Sequence, residues 1–194
     1  MIISISGNHG SGKSSIAQML ANKLNWPRYY MGGLRRQAAK KLGLTLAEYN
    51  KLGENDPKTD LAVDEYQAKL GRTKDDFIIE GRTSWYFIPH SLKIYLDVDD
   101  QAAARRIFKS LKKEKEQAAR NEDAGLKTVK DVLKSLKARK QSDIKRYRRY
   151  FGFNPYLKKH YDFYLDTTDL TLKQVFKAVF GFVQTNLDKK RDCL

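Results

Sequence analysis

Cysteine is almost absent from this chain: the only one, Cys193, is the penultimate of 194 residues. A lone thiol closes no internal disulfide, so the fold must hold through its core, and a reducing compartment, the cytoplasm, is the expected setting. No apolar run approaches the length of a membrane span. Residues 1–6 lead straight into the motif described below, so a removable leader is not expected there. Of the three histidines, His90 and His160 have no cysteine or carboxylate neighbours at ligand spacing, and neither is assigned a metal role. Repeats and low-complexity tracts are absent too. Acid is scarce relative to base: 38 Lys and Arg face 23 Asp and Glu, a formal net charge of +15.

What is present is a globular composition, 41% hydrophobic and 11% aromatic, at a length that suits one domain. The positive excess is concentrated. Residues 101–150 carry seventeen Lys and Arg against six Asp and Glu, eleven of the fifteen net charges. Two anionic visitors fit such a segment: nucleotide phosphates under a clamp, or a nucleic-acid backbone. The solvated faces of two long helices also absorb many of these charges individually. Only Phe108, Tyr147 and Tyr150 are aromatic within the segment, thin for a base-stacking platform, so nucleic acid ranks behind nucleotides.

The most informative stretch is Gly7-Asn8-His9-Gly10-Ser11-Gly12-Lys13-Ser14, a complete P-loop. Its glycines let the backbone turn sharply and aim N–H groups inward, Lys13 reaches the β/γ-phosphates, and the Ser14 hydroxyl suits magnesium. His9 occupies a variable position and reads as a loop filler. The context is correct on both sides. An apolar run, Ile2–Ser6, precedes the loop, and from Ser15 onward Ile16, Met19, Leu20 and Leu24 fall on one helical stripe whose positive end adds to the phosphate site.

Strands are expected over 2–6, 28–31, 77–80, 92–97 and 162–166, with helical stretches between them. Alternation of this kind argues for a parallel sheet covered by helices on both faces. Residues 42–72 read as a helical excursion. Residues 100–150 read as helix, turn near 121–125, and helix, the second half marked by Val129, Val132, Leu133 and Leu136. Lys189-Lys190-Arg191 reads as a frayed basic tail. Glu80 ends an apolar strand, where it can hold magnesium through water beside Ser14, and Arg82 follows at a carboxyl-edge loop suited to a second phosphate. Arg139, Asp143 and Arg146 stand at i, i+4 and i+7, one face of a helix, so two arginines flank a carboxylate that can orient them on phosphoryl groups. Thr73-Lys74-Asp75-Asp76 spells a guanine-reading motif but precedes a strand instead of following one, and is discarded.

The ordered set resembles the cytidylate kinase family, in its short form typical of archaea. Tyr30-Met31-Gly32-Gly33-Leu34-Arg35-Arg36 is similar to the segment that opens that family's monophosphate-binding helix. Glu80-Gly81-Arg82 matches its acid-Gly-Arg strand end, and Leu92–Asp97 its fourth strand. Arg105-Arg106 resembles the arginines entering the lid. Arg139, Asp143 and Arg146 match its Arg-x-x-x-Asp-x-x-Arg spacing, and Asp166-Thr167-Thr168 its last strand turning into the adenine-side loop. Two positions depart: Tyr30 or Met31 stands where the family carries serine, and Thr83 where its bacterial form carries aspartate. Both bear on base and ribose recognition.

The resemblance implies one α/β P-loop kinase domain with a five-stranded parallel sheet in the order 2-3-1-4-5. Its core would be residues 1–31, 74–100 and 151–188, with a monophosphate-binding segment over 32–73 and a lid with flanking helices over 101–150. It implies transfer of the γ-phosphoryl of ATP, with Mg2+, to a small nucleotide, CMP or dCMP first, by a cytoplasmic monomer. Gly7 through Ser15 would cradle the donor, with Lys13 on its phosphates. Ser14 and Glu80 would serve the metal. Gly32, Arg36, Arg82, Arg139, Asp143 and Arg146 would hold the acceptor and the transferring group, while Arg105 and Arg106 close over them. Other acceptors, UMP, AMP or a non-nucleotide alcohol, stay open, although adenylate kinase's Asp-Gly-Phe-Pro-Arg signature is absent.

Overall fold

The computed structural model describes residues 1–112 and 126–192; the turn expected near 121–125 lies outside them. Five strands form one sheet: β1 (Ile2–Gly7), β2 (Arg28–Tyr30), β3 (Phe77–Glu80), β4 (Leu92–Asp97) and β5 (Phe163–Asp166). All pairings are parallel and the order is β2-β3-β1-β4-β5, as expected. β1 is central, and all six of its residues are buried. Because side chains alternate along a strand, Ile3 and Ile5 face one side while Ile2 faces the other.

The first side is covered by α1 (Lys13–Leu24) and α8 (Leu172–Asp192), which pack Ile16, Leu20, Val175 and Val179 against Ile3, Ile5, Ile78 and Ile94. Each such aliphatic side chain, removed from water, contributes about 2 kcal/mol. The second side is covered by α2 (Met31–Lys41), α4 (Lys58–Thr73) and the short α5 (Ser84–Phe87), through Met31, Leu70 and Ile88. Between α2 and α4 lies α3 (Leu46–Gly53), whose start is fixed by a reciprocal Thr45–Glu48 capping box. A third apolar cluster joins α6 (Asp100–Leu111) to α7 (Val129–Phe151) through Ala103, Ile107, Val132 and Leu136.

Three features refine or correct the sequence reading. Met31 opens α2 instead of ending β2, and its side chain packs with Leu70, Phe77 and Ile88 on the second side of the sheet. The excursion over 42–72 is two helices, α3 and α4, split by the 3-residue-spaced turn bonds around Asp56. The basic run at 189–191 is not frayed: α8 continues to Asp192, and Lys190 reaches Asp75 at 3.5 Å.

Candidate active site

β1 delivers the P-loop to the carboxyl edge of the sheet. Gly7 must be glycine: its φ is 151°, and a Cβ there would stand 2.2 Å from the Leu96 carbonyl oxygen. Gly10 and Gly12 hold left-handed backbone and bring the chain into α1. The Asn8 side chain is spent inside the fold, bonded to Asp97 and to the Tyr95 hydroxyl at 2.9 Å, so it braces the loop against β4. Lys13 Nζ donates to the Asn8 carbonyl at 3.1 Å. Burial, then the Arg82 guanidinium, pulls the Lys13 ammonium down to about 7. The buried Ser11 hydroxyl has no hydrogen-bond partner among the described residues. An orphaned donor, a destabilised ammonium and a glycine cradle together fit a polyphosphate.

The Ser14 hydroxyl donates to Glu80 Oε1 at 2.5 Å, so the two expected metal residues are adjacent. The other Glu80 oxygen, however, pairs with Arg28 at 2.9 Å, a partner that the sequence did not suggest. Among the described residues no cluster of three acidic, histidine or cysteine groups exists that could cage an ion. A hydroxyl beside one carboxylate is what Mg2+ takes when phosphates and water complete its shell, so the pair fits that ion.

A cavity of about 430 Å3 runs from Lys13 past Arg36, Arg82 and Arg139. Arg36 leans on the Tyr30 ring, bonds its hydroxyl, and donates to the Gly32 carbonyl at 3.1 Å. That ring packs so closely on Gly32 and Gly33 that a Cβ at either would come within 2.8 Å of it. Tyr30, one of the two residues at the position where the family pattern has serine, therefore sets the arginine beside it. Arg82 Nε meets Asp143 at 2.9 Å and the Tyr156 hydroxyl at 3.0 Å, while its Nη2 meets the His9 ring.

The Arg139, Asp143 and Arg146 face does not act as one surface. Arg139 lines the cavity, but Arg146 is wholly buried, pairing with Asp143 and with Asp60, each at 2.9 Å. Asp60 in turn pairs with Arg35. An alternating chain Arg35–Asp60–Arg146–Asp143–Arg82 thus ties α2, α4, α7 and the β3 edge together beneath the cavity. Burial pushes the Asp143 carboxyl up, but Arg82 and Arg146 outweigh it and hold it below the usual range. The two arginines of α6 also part company. Arg105 is exposed, whereas Arg106 donates to the Gly10 carbonyl at 3.3 Å and to the Thr167 and Thr168 carbonyls at 2.6 and 3.0 Å, locking the P-loop to the turn after β5. Arg106 is a brace in this structure and not a free closing arm.

One polar cluster lining the cavity was legible in the sequence only at Thr83; Asp64 and Gln67 were missed. Asp64, Gln67 and Thr83 meet there, with Gln67 Nε2 donating to Asp64 at 3.1 Å and to the Thr83 hydroxyl at 3.2 Å. Burial raises the Asp64 carboxyl to about 7. The signal was available: Asp60, Asp64 and Gln67 stand at i, i+4 and i+7, the spacing that singled out Arg139, Asp143 and Arg146.

The model of the cytidylate kinase-like family matches residues 2–169. The cytidylate kinase of Methanocella arvoryzae is 31% identical over 180 residues, 93% of this chain and 95% of that one. That of Halobacterium salinarum is 33% identical over 156 residues, 79% of this chain and 74% of that one. Among solved structures, a shikimate kinase from Bacteroides thetaiotaomicron superposes with a TM-score of 0.59 at 13% identity, covering 97% of this chain and 98% of that one, a likeness of fold. With the family model spanning most of its length and a P-loop, an acid-Gly-Arg strand end and an Arg-x-x-x-Asp-x-x-Arg helix in their places on a 2-3-1-4-5 sheet, the chain belongs to the cytidylate kinase-like family.

Proposed function

We propose that this chain transfers the γ-phosphoryl group of ATP to a nucleoside monophosphate, with CMP or dCMP the preferred acceptor. One observation carries the reading: a single cavity is lined by the P-loop lysine, by Arg36, Arg82 and Arg139, and by the hydrogen-bonding cluster of Asp64, Gln67 and Thr83. A nucleotide fits that polarity, with phosphate toward Arg36, Arg82 and Arg139 and base toward Asp64, Gln67 and Thr83. An Asp64 oxygen suits an exocyclic amine, the group that distinguishes cytosine from uracil.

Catalysis here is positioning and charge neutralisation. Lys13 and the loop amides bind the donor phosphates, and recovery of the full Lys13 charge beside them strengthens that grip. Arg82 and Arg139 hold the groups between which phosphoryl passes. Ser14 and Glu80 would hold Mg2+, which when bound neutralises charge on the donor phosphates. Among the described residues no helix is long and apolar enough to cross a membrane, and we place the protein in the cytoplasm as a monomer.

An ADP-release assay across CMP, dCMP, UMP, AMP, GMP and shikimate tests the assignment. CMP or dCMP should give the highest kcat/KM, with UMP lower because a site built around an amine rejects an analogue without it, and AMP far lower because its purine ring is larger than a pyrimidine. A higher value for AMP or shikimate would overturn the acceptor while leaving the P-loop chemistry in place.

A further inference from the structure

His9 looks replaceable in the sequence, a variable position inside the P-loop. The structure turns its ring toward the acceptor side, where Nε2 contacts Arg82 Nη2. A guanidinium only donates, so Nε2 must accept, and a neutral ring then carries its proton on Nδ1. Arg82 is held from its Nε side by Asp143 of α7 and by Tyr156. His9 is the contact at Nη2, and among Arg82's bonded partners in the described residues it alone comes from the donor-binding loop.

We propose that His9 is a positioning residue for Arg82, accepting a hydrogen bond from Nη2 and fixing the guanidinium between the donor and acceptor phosphates. The inference rests on the phosphoryl-transfer reading above. The surroundings suit the role: burial and the nearby Arg82, Arg139, Lys13 and Arg36 charges all disfavour an imidazolium, so the ring stays an acceptor. An apolar residue would leave Arg82 tethered at Nε alone, with its Nη2 end free to turn. A lysine would repel it. Glutamine, whose amide oxygen accepts, is the replacement able to keep the bond.

The test compares His9→Gln with His9→Leu, each alone and with Arg82→Ala, after thermal melts establish that each variant folds. His9→Leu should raise the acceptor KM and lower kcat, together about tenfold or more in kcat/KM, the usual worth of a hydrogen bond to a charged group. His9→Gln should recover most of that loss. In the Arg82→Ala background His9→Leu should cost nothing further. Independently of turnover, ring nitrogen shifts of labelled protein should show an unprotonated Nε2 in the parent that moves in Arg82→Ala. If His9→Leu does not fold, His9→Gln and the nitrogen shifts still decide. Equal losses in Gln and Leu variants, an undiminished loss without Arg82, or ring shifts indifferent to Arg82 would each overturn the proposal. A parent enzyme with no transferase activity would sink the kinase reading instead, and the ring shifts would still report on the contact.

Discussion

Lys13 is the residue whose charge state matters most. With its ammonium drawn down to about 7, the free protein at neutral pH carries it partly deprotonated. Donor phosphates favour the charged form, so ATP binding should take up a proton, and affinity should fall as pH rises from 7 toward the restored value in the complex. Calorimetric titration in two buffers of different ionisation enthalpy measures this uptake; equal apparent enthalpies at pH 7.5 would rule it out. Lys13→Ala should lose roughly 10²–10³-fold in turnover while folding normally. Arg146 is the opposite case. Its two carboxylate partners have no water to turn to, so Arg146→Ala should cost about 3 kcal/mol in urea unfolding, well beyond any effect at an exposed arginine such as Arg105. A midpoint unchanged from the parent would contradict the buried chain. Lys13 and Ser14 were legible in the sequence because their backbone requirements are written in neighbouring glycines. Arg146 was legible as part of a face but not as to what covers it, since helical spacing says which side chains stand together and nothing of the carboxylate that arrives from α4.

At the scale of elements, α4 carries a polar stripe into the protein, and Asp64 makes the stripe sensitive to pH. Its folded value, about 7, lies above the roughly 3.9 of an unfolded aspartate, so between these the folded chain holds a proton that the unfolded chain releases. That contribution to stability is complete below about pH 4 and disappears as pH rises through 7. Asp64→Asn has no such charge to bury, so its stability relative to the parent should increase from pH 5 to pH 8. Denaturation midpoints at the two values check the sign, and a flat difference would refute it. The same substitution should weaken CMP binding, measured as KM. The strands were legible because β1, β3 and β4 are short apolar runs with clean boundaries. The four-residue α5 was not, being too short for periodicity, and the buried polar face of α4 was not recognised because charge on a helix is more often solvated.

The whole molecule is a parallel sheet whose order came from family resemblance and not from periodicity, because periodicity locates strands without saying which lie side by side. Its assembly follows from where β1 sits. The strand that presents the P-loop is central, yet its partners lie far along the chain: Ile2 pairs with Phe77 and Ile3 with Leu92. No local hairpin can form first, so loop-closure entropy over some seventy residues opposes the pairing that buries the central strand. A fragment of residues 1–74 contains the entire phosphate-binding motif and neither neighbour of its strand; circular dichroism should find it largely unfolded and phosphate should not protect it from protease. During synthesis, the same arithmetic leaves Ile2, Ile3 and Ile5 outside the ribosome without a partner until β3 and β4 emerge, which makes this stretch a natural client for a holding chaperone and the place where a slowed ribosome would first produce aggregation.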